Sequence, residues 1–367
     1  MWGRVILFAL ASLGPVPLIA AGAAWGGLWA HAAFLAMTLL VFLLDEGGGA
    51  LFGREGLSTF PRIAAALPVA LALAHFALFW FVIAALARGA PGPWGWLPAF
   101  LAAALWFGQV SNANAHELIH ARDRLRRRLG VLVYVSLLFG HHASAHPLVH
   151  HRHVGTPADP NSARKGQSYY SFWRQAWIGS FRAGLAAETA RCKAAGRRGL
   201  LGHPYTGYIA GALAALGLSW ALAGWAGVAV HFALASLAQA QLLMSDYVQH
   251  YGLRRREVAP GRLEPVSPRH SWNAPHWFSS HMMLNAPRHS DHHAHPLKPY
   301  PALELPEERA APTLPYSLPA MGMIALWPRA WRRVMDRRLA SWEAPAESDR
   351  RAPPAPRDAG TGQRAGA

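Results

Sequence analysis

The chain has 367 residues, of which 52 % are hydrophobic and only 15 % charged, with a formal net charge of +16. Soluble proteins carry about 25 % charged residues, so the deficit excludes an ordinary soluble globule and points to a membrane protein. The basic excess lies in short Arg clusters flanking apolar runs, which fits loops beside anionic lipid and not nucleic acid, and the single cysteine, Cys192, excludes a disulfide framework and any Cys-rich zinc or iron–sulfur site.

Crossing a bilayer as helix takes about 20 apolar residues. Residues 5–25 and 27–44 qualify in succession, so close that only a tight turn fits between them, and read as a helical hairpin. The first run, with Arg4 before it and Ala21-Gly22-Ala23 near its end, also has the shape of a secretory signal, but the spans that follow favour a retained helix. Residues 63–86 form a third span, closed by Arg88-Gly89, and 94–110 a fourth. Residues 131–140 are too few to cross alone and read as a buried or re-entrant segment. Residues 208–222 and 225–244 make a second hairpin about Ala223-Gly224. Arg122, Arg124, Arg126, Arg127 and Arg128 follow the fourth span, and Arg254, Arg255 and Arg256 follow the sixth. These clusters predict a cytoplasmic side for their loops and for both termini in a bacterial-type inner membrane. The expected fold is therefore all-α. An integral membrane bundle of about six transmembrane helices, with a cytoplasmic helical cap, occupies 1–345. Residues 346–367, rich in Pro, Ala, Arg, Asp and Gly, should form a disordered tail.

Histidine supplies the chemistry. His116 and His120 stand at i and i+4 just beyond the fourth span, on one helical face. His146 and His150 repeat the spacing, with His151 beside them. His250 closes the sixth span, and His289, His292 and His293 form a third group. Neutral imidazole is the commonest metal ligand. A single zinc takes about four ligands, so nine imidazoles are too many for one ion and fit two. Imidazole suits Zn, Cu, Fe and Ni alike and does not name the metal. His31, His75 and His231 stand alone within spans and read as packing or hydrogen-bonding residues. Glu117, Asp159 and Asp291 lie in or beside the groups, where carboxylates orient metal-bound imidazoles from behind.

On these motifs the chain resembles the integral-membrane non-haem di-iron alkane 1-monooxygenases (AlkB type) of the membrane fatty-acid desaturase and hydroxylase superfamily. The motifs are His116-Glu117-Leu118-Ile119-His120, His146-Pro147-Leu148-Val149-His150-His151 with Thr156-Pro157-Ala158-Asp159-Pro160, Tyr247-Val248-Gln249-His250-Tyr251-Gly252, and Arg288-His289-Ser290-Asp291-His292-His293. The likeness covers roughly 5–340. The chain departs from that pattern at Ala145 and at Gln249, where the family commonly has Glu, and Gln249 is closer to xylene-type relatives. The resemblance implies O2-dependent hydroxylation of a terminal alkane methyl by two Fe ions on the nine histidines, with no catalytic residue beyond the metal centre. It also implies electrons from a soluble rubredoxin or ferredoxin and its reductase. The alternative is a sister enzyme: a xylene-type monooxygenase, a fatty-acyl desaturase or a lipid hydroxylase. Phe34, Met37 and Val41, on one face of the second span at i, i+3 and i+7, are candidates for the far end of the substrate channel.

Overall fold

The computed structural model describes residues 2–48, 62–197 and 199–351. Among the described residues it is mostly helical, with one two-stranded antiparallel hairpin, β1 (Glu257–Ala259) and β2 (Arg262–Leu263), and an isolated bridge between Asn273 and Thr313. Among the described residues four helical stretches are long and apolar enough to cross a membrane: Gly3–Trp25, Gly27–Gly47, Ala64–Ala87 and Pro204–His250. The first combines α1 (Trp2–Leu13) and α2 (Pro15–Trp25). The second combines α3 (Gly27–Leu35), a π turn (Ala36–Leu40) and α4 (Val41–Gly47). The third is α5 (Arg62–Ala87). After it α6 (Gly92–Trp106) passes through a π turn (Phe107–Ser111) into α7 (Asn112–Ile119).

The two expected hairpins turn on the same device. Gly26 has φ 61 and ψ −142, and Gly224, within α12 (Pro204–His250), has φ 59 and ψ −153. Only glycine enters this region cheaply. The turn breaks α12 into arms 204–222 and 225–250 that fold back on each other, with the Ser219 hydroxyl 2.7 Å from His231 Nδ1. The turn regions gather at one end of the bundle. A Cβ on Gly26 would overlap the Pro91 carbonyl, and the Arg88 guanidinium donates to the Leu222 carbonyl at 3.0 Å. The opposite helix ends carry His116, His120 and His250, so two of the three helix pairs deliver imidazoles to one end.

Residues 131–136 of the short apolar stretch belong to α8 (Arg124–Ser136), started by Asp123, whose carboxylate caps the Arg126 amide at 2.9 Å, and 137–140 form the turn after it. The helix packs against α7. Gly130 permits the close approach, since a Cβ there would lie 2.8 Å from Leu118 Cβ. The lone histidines are hydrogen-bonded: His75 to Ser136 and Ser111, His231 to Ser219 and the Ser136 carbonyl, His31 to the Gly27 carbonyl. A buried polar side chain in an apolar bundle needs such partners. Beyond α8 come α9 (His142–Ala145), a π turn (His146–His150), α10 (His151–His153) and α11 (Tyr169–Ala194). After the β hairpin follow α13 (Trp277–Met282), α14 (His289–Ala294), α15 (Leu318–Ala325) and α16 (Pro328–Arg351). The last helix runs past position 346, where composition predicts the start of a tail, and 352–367 lie outside the described residues.

Candidate metal centre

The nine histidines converge. His116, His120, His146, His151 and His292 form one group and His150, His250, His289 and His293 a second, and within each group the donor atoms lie within 4.8 Å of one another. The groups adjoin: the rings of His151 and His293 are 4.5 Å apart and those of His150 and His151 6.0 Å.

Helical spacing alone would set His146 with His150. The π turn changes the partner. The His151 amide donates to the His146 carbonyl, five residues back, which stacks i over i+5 in place of i+4. His146 Nε2 then meets His151 Nε2 at 2.9 Å, while His150 points into the other group. In α14 ordinary α geometry returns. His289 and His293, at i and i+4, face each other at 3.1 Å between Nε2 atoms, and His292 crosses to His151 at 3.1 Å.

The donor set fits a pair of cations. His146 Nε2 is approached by the Nε2 atoms of both His116 (2.8 Å) and His151 (2.9 Å), and His289 Nε2 by those of His250 (3.0 Å) and His293 (3.1 Å). Neutral imidazoles carry one proton each, too few to satisfy such rings of facing nitrogens, and a shared cation satisfies all of them. Burial, reinforced by neighbouring imidazoles, holds His146, His151, His289, His292 and His293 well below the ordinary histidine pKa, and His120 is lowered to about 4. The neutral form is the one that binds metal. His150 differs. Burial opposes its charge, but Asp159 outweighs burial and raises the pKa. With Nδ1 given to Asp159 at 2.9 Å, its Nε2 is buried with no hydrogen-bond partner among the described residues and is left as the donor.

Beside the imidazoles lies a cavity of about 330 Å³. Its walls are mostly apolar, with Leu101 and Leu105 from α6, Leu237, Leu242 and Val248 from α12, and Leu318 and Met323 from α15. His116, His142, His146 and His289 also line it. The wall from Leu101 to His116 rises about 22 Å at 1.5 Å per residue. An apolar slot walled in part by buried nitrogens suits an apolar chain whose end is presented to a metal pair.

The sequence carries the same relationships. The fatty acid desaturase family model matches residues 91–325. The alkane 1-monooxygenase 1 of Pseudomonas aeruginosa is 31 % identical over 335 residues, covering 87 % of this chain and 86 % of that protein. The chain belongs to the fatty acid desaturase family, in the branch of the alkane 1-monooxygenases. Another relative in this branch, alkane 1-monooxygenase 2 of Alcanivorax borkumensis, is 34 % identical over 239 residues, 64 % of this chain and 61 % of that protein. The hydroxylase component XylM of the Pseudomonas putida xylene/toluene monooxygenase is 30 % identical over 232 residues, 62 % of this chain and 60 % of that protein.

The three carboxylates of this family member do three different things. Asp159 orients His150 and is itself held by the Ser162 hydroxyl (2.7 Å) and the Asn161 amide (3.0 Å). Glu117 accepts the Tyr300 amide at 3.2 Å. Burial raises its pKa to about 7. Asp291 corrects the expectation drawn from spacing. It accepts from His295 Nδ1 (2.8 Å), Lys298 Nζ (2.9 Å) and the Glu304 amide (2.7 Å), and so ties down the loop after α14 without touching any of the nine imidazoles. Phe34, Met37 and Val41 also depart from expectation. None lines the cavity; Met37 and Val41 are buried in the core and Phe34 packs against it. The walls come from helices distant in sequence, so the periodicity of one span could not reveal them.

Several contacts escaped the sequence reading. The His270 carbonyl braces His250 Nδ1 at 3.2 Å, and a backbone atom leaves no signature in residue type. Asn161 links Asp159 to Asp246 by donating to the Asp246 carboxylate at 2.6 Å, and Asp246 lines the cavity one turn before His250. That i, i+4 spacing was a usable signal. His142, off the histidine pattern, also lines the cavity, its ring 5.0 Å from that of His146.

Proposed function

We propose that this chain is an alkane 1-monooxygenase whose nine histidines hold two irons and which hydroxylates the terminal methyl of an apolar chain. The observation that carries the reading is the meeting of two imidazole groups with a long apolar cavity. Bound iron supplies the O2-dependent oxidising power that an unactivated C–H bond requires, which a redox-inert zinc cannot. The balance is alkane, O2, two electrons and two protons giving primary alcohol and water.

The protein's own residues do the remaining work. Leu101, Leu105, Leu242 and Leu318 bind the chain by burying its surface, worth roughly 25 cal/mol per Å². The slot leaves one end free to reach His116, His146 and His289, which converts binding into orientation. Asp159 keeps His150 aimed. Exposed Arg122, Arg124, Arg127 and Arg128 follow His120, and exposed Arg152 follows His151. In our reading this basic face is cytoplasmic and receives an acidic rubredoxin or ferredoxin with its reductase behind it, steered by charge. The helix pairs then cross the inner membrane with their glycine turns on the far side.

Elemental analysis of the purified protein and product analysis with octane, an alkyl aromatic and a fatty acyl thioester test this together. About two irons per chain and 1-octanol are expected. Zinc alone, or product only from the aromatic or the thioester, overturns the assignment.

A further inference from the structure

The cavity has a second side. Its apolar mouth already faces outward: Leu237 and Met323, both cavity-lining, are 38 % and 56 % exposed. On the α11 side a separate open groove is lined by Tyr169, Tyr170, Ser171, Trp173, Arg174 and Ala240. Tyr169 and Ala240 belong to both walls, so the two spaces adjoin there. Tyr169 is buried, and its hydroxyl donates to the Ala240 carbonyl at 2.6 Å, which closes the partition. One neutral hydrogen bond and one ring rotation hold it shut.

The two openings differ in chemistry. The Leu237–Met323 mouth offers hydrocarbon. The groove offers hydroxyls from Tyr169 and Ser171, the Arg174 guanidinium and the Trp173 face. It lies on a helix whose outward side mixes exposed Tyr170, Trp173, Trp177 and Ile178 with exposed Arg174 and Arg182, the composition of a helix resting at a membrane surface. Substrate and product differ by one hydroxyl. Within the reading of the cavity as the substrate site, we propose that the α11 groove is the exit port for the long-chain alcohol product, gated by Tyr169, while the hydrocarbon enters at the Leu237–Met323 mouth. An amphiphile is best accommodated where its chain remains in an apolar wall and its hydroxyl reaches polar partners at the bilayer surface.

The test uses the full-length protein in phospholipid vesicles. Photolabelling of the resting enzyme compares a diazirine-tagged hexadecane with a diazirine-tagged 1-hexadecanol, and labelled peptides are read by mass spectrometry. The alcohol should label 169–174 several-fold more than the alkane does, with both labelling the cavity walls at 101–116 and 237–249. Equal labelling of the groove by the two probes, or none by the alcohol, overturns the port. Absence of cavity labelling by either probe overturns the substrate-site reading itself. In turnover, Tyr169→Trp should lower kcat and KM for octane together, several-fold, with kcat/KM unchanged and a burst of bound alcohol preceding slow release. A fall in kcat/KM without a burst would assign Tyr169 to entry, and wild-type kcat would remove it as a gate. Should Tyr169→Trp fail to load metal, the wild-type labelling still decides.

Discussion

The two imidazole groups are built differently, though they share one pocket of protein. The four-histidine group is fully buried and braced from behind, His150 by Asp159 and His250 by the His270 carbonyl. The five-histidine group is partly buried and less supported: the Nδ1 atoms of His146 and His151 are buried without hydrogen-bond partners among the described residues, against that of His293 alone in the four-histidine group. It also contributes two of the four imidazoles that line the cavity, His116 and His146. A brace fixes ring orientation and raises ligand basicity, so the four-histidine group is the rigid half.

Removing one donor from each group breaks the comparison most sharply. His151→Ala and His250→Ala should each abolish alcohol formation, with iron falling to about one per chain because each leaves the other group's donors intact. If both variants lose all iron by elemental analysis, the groups are not separate. A smaller effect distinguishes the carboxylates. Asp159→Asn should weaken binding of one of two irons by about 10–100-fold, seen as two-phase release to a chelator. Asp291→Asn should leave metal binding unchanged and cost about 1–3 kcal/mol of stability through its lost loop contacts, read from thermal unfolding.

Acidification separates His150 from the other imidazoles in metal-free protein. His120, lowered to about 4, and His146 and His151, lowered by burial, bind protons less readily folded than unfolded. Their contribution is intact above the unfolded histidine value near 6.5 and is lost as pH falls from there toward the folded values. His150, with its raised pKa, is stabilised by Asp159 below about 6.5 and loses that support only as pH rises through its folded value. At about pH 6, NMR of the metal-free protein should therefore show a protonated His150 beside neutral imidazoles at the other eight positions, and a neutral His150 would contradict the distinction. The smallest effect concerns the second span. Phe34→Ala should leave the chain-length profile of the products unchanged, while Leu242→Trp, in the cavity wall, should shift it toward shorter alkanes.

The apolar runs, the glycine turns at Gly26 and Gly224, and the identity of all nine histidines were legible in the chain, because each rests on residue type and local spacing. Hydrophobic run length and backbone freedom are local properties, and so is the presence of an imidazole. Only the tertiary structure decided the partition into five and four, since a π turn re-pairs His146 with His151 at a periodicity the letters do not announce. It also assigned Asp291 to a loop instead of an imidazole, and it built the cavity wall from α6, α12 and α15, more than 200 positions apart at the extremes. Contacts of that range depend on how helices pack, which no local spacing encodes.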